Sequence, residues 1–181
     1  MNHFYEIQLV KHYMKQLGCE FSSSPHSLQT NNEKFCLITS ALYGHVGVGK
    51  TNYVKFIQGD IQEDFMRKNN GIDFAIKTMH VLGEDFKLQI FDTIGERWIV
   101  KGVSCRQTFE RSKFDFFCFS IENRNSFENV KVWHSLALEK NNTLIPILLG
   151  IHLNTPNSAK REVEFKEAFE FARIHLNGEM Y

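Results

Sequence analysis

The chain has 181 residues, 43% of them hydrophobic and 23% charged, which suits one globular domain with a substantial core and a short extension. Lysine plus arginine and aspartate plus glutamate balance at 21 each without a dense basic run, which excludes a protein drawn to nucleic acid or acidic membranes by bulk charge. Four scattered cysteines (Cys19, Cys36, Cys105 and Cys118) lack zinc-knuckle spacing, and a chain this long needs no disulfide framework, so a reducing, cytoplasmic compartment is expected.

Residues 1–17 lack the apolar core and cleavage site of a secretory signal, and no segment is long enough to span a bilayer. Phe4, Ile7, Val10, Met14 and Leu17 recur at helical spacing ahead of Gly18 and predict an amphipathic helix. Its polar face is mixed in charge, which argues for packing on its own domain rather than on lipid. A polar, turn-rich stretch around Ser22-Ser23-Ser24-Pro25 completes an N-terminal unit of residues 1–33, and the main domain is expected over 34–181.

Within that domain, residues 35–43 read as an apolar strand, followed by a glycine loop and a helix from Thr51 to Gln58. Residues 72–81 and 86–91 read as two strands around Leu82-Gly83-Glu84-Asp85, a predicted hairpin turn. The continuous apolar runs 114–121 and 144–150 have the look of strands covered on both faces of a parallel sheet. Ser126 is a candidate N-cap ahead of Phe127, Val130, Trp133 and Leu136. A last helix is expected over about 160–174 with Phe165, Phe169 and Ala172 facing inward. The predicted fold is α/β, a mostly parallel sheet with one antiparallel hairpin strand, helices on both faces, and ligands at the carboxyl ends of the strands. Seventeen phenylalanines against two tryptophans are a compositional bias to which the sequence attaches no function.

The chemistry is concentrated in Gly44-His45-Val46-Gly47-Val48-Gly49-Lys50-Thr51, which satisfies the P-loop pattern between a strand and the start of a helix. Glycines allow backbone N–H groups to turn inward around phosphates, and the helix N-terminus adds positive potential. Lys50 supplies a point charge for the outer phosphates, the Thr51 hydroxyl can ligate Mg²⁺, and Asn52 follows in the first helical turn. Phosphoryl transfer also calls for a carboxylate near the metal and a backbone amide near the terminal phosphate. Asp92-Thr93-Ile94-Gly95, at the end of a strand, offers Asp92 and Gly95 for these roles. His45 is expected to face solvent, and Cys36 and Cys118 to serve as packing residues.

These motifs, with Asn70-Gly71-Ile72-Asp73-Phe74 and Lys87-Leu88-Gln89-Ile90-Phe91, resemble those of Ras-superfamily GTPases, most closely the Rab branch. Phe119-Ser120-Ile121 and Asn125-Ser126-Phe127 resemble the next Rab strand and the opening of its following helix. The resemblance covers residue 35 to the C-terminus and implies a P-loop NTPase fold, GTP/GDP with Mg²⁺, and a nucleotide switch in vesicle traffic at the cytosolic face of endomembranes. It also implies effector and exchange-factor partners meeting Asn69 to Phe74 and Asp92 to Trp98, with Phe74 and Trp98 as surface aromatics.

Departures from the family pattern bear on each of these implications. Asn69 stands where the family's switch Thr ligates Mg²⁺, and Gln62 where an aromatic flanks the guanine. Where the family has Gln-Glu-Arg after Gly95, this chain reads Glu96-Arg97-Trp98, so either Glu96 replaces the water-positioning Gln or one residue is missing, and Val46 puts a branched side chain at a position the family fills with Gly or Ser. Both changes point to slow hydrolysis. The guanine-reading Asn-Lys-x-Asp is replaced by Ile151-His152-Leu153-Asn154, in which only Asn154 keeps a polar group for the base. The chain stops at Gly178-Glu179-Met180-Tyr181, about where the family's last strand begins, so membrane attachment is not visible and a fragment is expected. Three readings remain open at this level: a Rab-like switch with weak turnover, a pseudo-GTPase scaffold, and another P-loop nucleotide-dependent enzyme.

Overall fold

The computed structural model describes residues 36–58, 66–68, 72–81, 84–93, 95, 112–151 and 161–176. The predicted N-terminal helix, Asn69, Glu96, Trp98 and Asn154 lie outside the described residues. In chain order the elements are β1 (Cys36–Tyr43), α1 (Lys50–Gln58), β2 (Met66–Lys68), β3 (Ile72–Val81), β4 (Glu84–Asp92) and β5 (Phe114–Ser120), then α2 (Arg124–Glu128), α3 (Val130–Leu138), β6 (Ile145–Ile151) and α4 (Phe165–His175).

The strands form one six-stranded sheet in the order β2-β3-β4-β1-β5-β6. β1 pairs in parallel with β4 and β5, and β5 in parallel with β6, while β3 runs antiparallel to both β2 and β4. A mostly parallel sheet with one antiparallel strand is therefore what the chain forms. Central position explains the apolar run of β5, where Asp115 to Ser120 are all buried.

The two faces differ in cover. On one, β5 presents Phe117 and Phe119 to Phe127, Val130 and Trp133 from α2 and α3, and to Phe171 and Ala172 from α4. Phe127 joins this core at 4.8 Å from both Phe119 and Phe171 between ring centroids, and Tyr43 stacks on Phe117 at 5.1 Å. Among the described residues, eight of the twelve phenylalanines are buried in core contacts. On the other face, Val48 and Val54, from the glycine loop and α1, close over Ile38, Leu42, Ala75, Leu88 and Ile90.

Several local expectations are corrected. Glu84 and Asp85 belong to β4, not to the turn: pairing continues to Val81 opposite Glu84, and His80 meets Asp85 across the strands at 2.8 Å. β2 was not foreseen, because three residues reading Met-Arg-Lys carry no alternating pattern. The cap of α2 is Asn123, whose side chain accepts the Ser126 N–H at 3.1 Å. Ser126 itself is buried and turns its hydroxyl toward the Asn123 carbonyl at 2.7 Å.

α4 starts at Phe165 rather than near 160, because Glu162 and Val163 donate their N–H groups to the Ile121 carbonyl and Arg124 grips Glu167 and the Glu162 carbonyl. Its buried residues are Ala168, Phe171 and Ala172, whereas Phe165 and Phe169 are 68% and 39% exposed. Choosing the larger side chains as the inward stripe placed the helix one position off its true face.

Asp115 lies in the core with its Oδ1 accepting the Ala41 N–H at 2.7 Å, in place of a carbonyl where the β1–β5 ladder begins. Burial raises its pKa from 3.8 to about 6, against the pull of hydrogen bonds from Ala41, Ser112 and Tyr43. A raised folded-state pKa means that the folded protein binds this proton more tightly than the unfolded chain. The corresponding stabilisation is complete below about pH 4 and lost as pH rises through about 6. His134, whose pKa burial lowers, acts in the opposite sense and gains stability as pH rises toward 6.5. Asp115→Asn should therefore come close to the parent near pH 4 and exceed it at pH 7, by on the order of 2 kcal/mol in denaturant unfolding. An equal difference at both pH values would refute the buried charge as the cause.

Candidate functional site

The carboxyl ends of β1, β4, β5 and β6 share one edge of the sheet. Chain leaving β1 passes to the face of α1, and chain leaving β5 passes to the face of α2 and α3, so the two diverge and open a crevice at the switch in direction. The glycine loop fills the β1 side of that crevice.

Gly44 opens the loop at φ +145, and a Cβ there would stand 2.3 Å from the Cys118 carbonyl oxygen of β5. Only a residue without a side chain can bring the loop this close to the neighbouring strand. Beneath it the Cys118 thiol is fully buried and its pKa is pushed up by burial, consistent with a packing role. Val48 and Lys50 are buried, while Val46 is 54% exposed. Lys50 arches back so that its Nζ donates to the carbonyls of Gly44 at 2.8 Å and His45 at 2.9 Å, closing the loop around its ammonium group. The Tyr53 N–H bonds to the Gly49 carbonyl at 3.0 Å, so α1 begins directly from the loop and aims its N-terminus at the crevice. The His45 ring turns along the loop, its Nδ1 2.9 Å from the Val46 carbonyl oxygen. Asn52 is exposed.

β4 delivers the second part of the site. Leu42 stands opposite Asp92 in the parallel ladder, which sets Asp92 beside the mouth of the loop. Asp92 is 6% exposed, and its Oδ2 accepts the Thr51 hydroxyl at 2.5 Å. Thr93, which sequence reasoning passed over, donates its hydroxyl to the Leu42 carbonyl at 2.6 Å and ties the end of β4 to the end of β1. A polar residue directly after the strand-ending Asp was the available signal. Gly95 then packs on the loop so closely that a Cβ would lie 2.9 Å from Val46 Cγ2 and 3.0 Å from the Val46 nitrogen.

Gly44, His45, Val46, Gly47, Val48, Gly49, Lys50, Thr51, Asp92 and Gly95 are thus gathered in one place, as their order in the sequence predicts. Mg²⁺ fits the donors present: a hydroxyl oxygen and a carboxylate, both hard, converge at the loop mouth, and no group of three or more His, Cys, Asp or Glu among the described residues offers a softer or denser cage. Two expectations change. Phe74 is 6% exposed and packs on Phe91 at 5.5 Å, so it is a core residue and not a surface aromatic for partners. Ile151 is the last residue of β6, paired with Ser120 and accepting the Ile121 N–H at 3.0 Å, so it belongs to the sheet rather than to a base-reading loop.

Comparison with known proteins agrees with this geometry. The sequence model described as the Ras family matches residues 39–177. Ras-related protein RabO of Dictyostelium discoideum is 34% identical over 140 residues, 76% of this chain and 62% of its own length. GTP-binding protein YPT1 of Saccharomyces cerevisiae is 29% identical over 143 residues, 78% of this chain and 68% of its own. Ras-related protein Rab-30 of Homo sapiens is 30% identical over 138 residues, 75% of this chain and 66% of its own. The chain therefore spans somewhat under two thirds of the length of the Dictyostelium relative.

Proposed function

The chain belongs to the Ras family and is Rab-like, and from that premise we propose that it binds GTP and GDP with Mg²⁺ as a slowly hydrolysing switch in vesicle traffic. The observation that carries the reading is the convergence of the Lys50 ammonium, the Thr51–Asp92 pair and the Gly95 turn on one loop. In this reading the loop N–H groups and Lys50 hold the phosphates, and Thr51 and Asp92 hold Mg²⁺, with Asn69 as a further candidate ligand. The metal, when bound, neutralises phosphate charge. Asn154 is the group left to meet the base.

Slow turnover follows from two side chains. Val46 fills the space against Gly95 with an isopropyl group, where a water or a terminal phosphate has to be accommodated. Glu96 occupies the water-positioning slot with a carboxylate, which repels rather than serves a phosphate-bound transition state. Single-turnover assays should show hydrolysis rising about tenfold or more in the Val46→Gly, Glu96→Gln double variant. An unchanged rate would remove both residues from the account.

Effector and exchange proteins are proposed to meet residues 69–74 and 92–98 through side chains other than Phe74 and Asp92, which are buried. The cytosolic face of endomembranes is the proposed site of action; among the described residues no helix is long and apolar enough to cross a membrane. Titration with fluorescent GDP and ADP, with and without Mg²⁺, tests the nucleotide reading. Micromolar or tighter GDP binding that weakens without Mg²⁺, with ADP far weaker, is the expected result. Equal affinities would rule out guanine selection, and no binding by a folded sample would favour a scaffold.

A further inference from the structure

β1 and β4 carry the two halves of the site, and Asp92 is the last residue of β4 that the parallel ladder holds, opposite Leu42. A strand opens first where its ladder ends. Here the next residue closes that end: Thr93 donates its hydroxyl to the Leu42 carbonyl at 2.6 Å, and both residues are buried. Valine would fill the same space, so the hydroxyl serves the bond and not the packing. Just beyond, the two chains meet again, since a Cβ on Gly95 would lie 3.0 Å from the Val46 nitrogen and 3.2 Å from the Gly44 carbonyl oxygen. On the other side of Thr93, Asp92 Oδ2 accepts the Thr51 hydroxyl at 2.5 Å. Thr51 sits in the first turn of α1, which the glycine loop ties to β1. The spacing of the Thr51 and Asp92 oxygens therefore depends on how β4 is fastened to β1 at this level.

We propose that Thr93 is a positioning residue for Mg²⁺: its hydroxyl latches the end of β4 to β1 and so fixes the Thr51 and Asp92 oxygens relative to each other. The proposal rests on the nucleotide reading above and deepens it. Mg²⁺ demands near-ideal octahedral geometry with oxygens at about 2.0–2.1 Å, so a small displacement of one donor costs affinity. The loop N–H groups and Lys50 follow directly from β1, so they hold phosphate whether or not β4 is latched. Loss of the Thr93 hydroxyl is thus felt in the metal and not in the phosphate cradle.

The experiment follows release of a fluorescent GDP from the full chain across a range of free Mg²⁺. In Thr93→Val the Mg²⁺ concentration that half-slows release should rise about tenfold, with release in EDTA within about threefold of the parent, and Thr93→Ser should keep the parental midpoint. Val130→Ala, at a fully buried position on α3, controls for lost stability and should also keep it. A parental midpoint in Thr93→Val, an equal change with and without Mg²⁺, or the same shift in Val130→Ala overturns the proposal while the nucleotide reading stands. A parent that binds no GDP, or whose GDP release ignores Mg²⁺, overturns both. Should Thr93→Val fail to fold, Thr93→Cys, with only a weak thiol donor, is read in its place by the same criteria. A further readout needs no metal: in the nucleotide-free chain, loss of the hydroxyl should speed amide exchange at Asp92 and Gly95 and leave residues 86–88 as in the parent. No change at Asp92 and Gly95, or a uniform change along β4, overturns the latch.

Discussion

Lys50→Ala should weaken GDP binding by roughly 100-fold to 1000-fold, with only a few degrees lost from the Tm of the nucleotide-free protein. The Nζ lies buried at the centre of the loop and donates to two carbonyls, Gly44 and His45. A charge-assisted hydrogen bond to phosphate from such a site contributes about 1.5–3 kcal/mol, and the attraction of the buried point charge for the remaining phosphate oxygens adds to it. Its removal also leaves the Gly44 and His45 carbonyl oxygens without the ammonium donor that closes the loop. Lys50→Arg should not rescue, because a planar fork is too wide for a loop closed around a compact ammonium group. Isothermal titration with GDP and Mg²⁺ reads both variants, and affinity within threefold of the parent would show that phosphates are not held here.

Gly44→Ala is expected to be the most damaging single methyl in the described residues. The new Cβ would meet the Cys118 carbonyl oxygen at 2.3 Å, and that oxygen belongs to the central strand β5, which cannot retreat without disturbing its ladder with β1 and β6. The φ of +145 adds backbone strain for any residue with a side chain. The cost should be about 3 kcal/mol, seen as a Tm lower by about 10 °C. Gly47→Ala is the control: its φ is also positive, but nothing lies within 4 Å of the added carbon, so about 1 kcal/mol is expected. Equal losses at the two positions would mean that backbone conformation, not the approach to β5, governs the loop.

What the sequence made legible was what depends on local order along the chain. A glycine loop between strand and helix, and an Asp at the end of a strand, imply their neighbours through the parallel register that sets Leu42 opposite Asp92. Alternation and apolar runs located five of the six strands for the same reason. Packing decisions were harder to see. Whether Phe165 or Phe171 faces inward depends on where α4 begins, and that is fixed by Arg124 and the Ile121 carbonyl, some forty residues earlier. Phe74 read as a surface aromatic from family likeness, but its burial comes from Phe91 on the neighbouring strand. Nor does any spacing rule announce that Gly44 must clear the backbone of β5, or that Thr93 will bond to Leu42.

The central claim is that the loop from Gly44 to Thr51, closed by Lys50 and joined to Asp92, holds a guanine nucleotide. The most direct measurement is to purify the full chain with Mg²⁺ present, denature it, and identify by chromatography and mass spectrometry whatever small molecule is released. GDP or GTP at close to one equivalent per chain, lost in Lys50→Ala, is the result predicted. An adenine nucleotide, or a folded chain that carries no nucleotide and takes up none when GDP is added, would contradict the account.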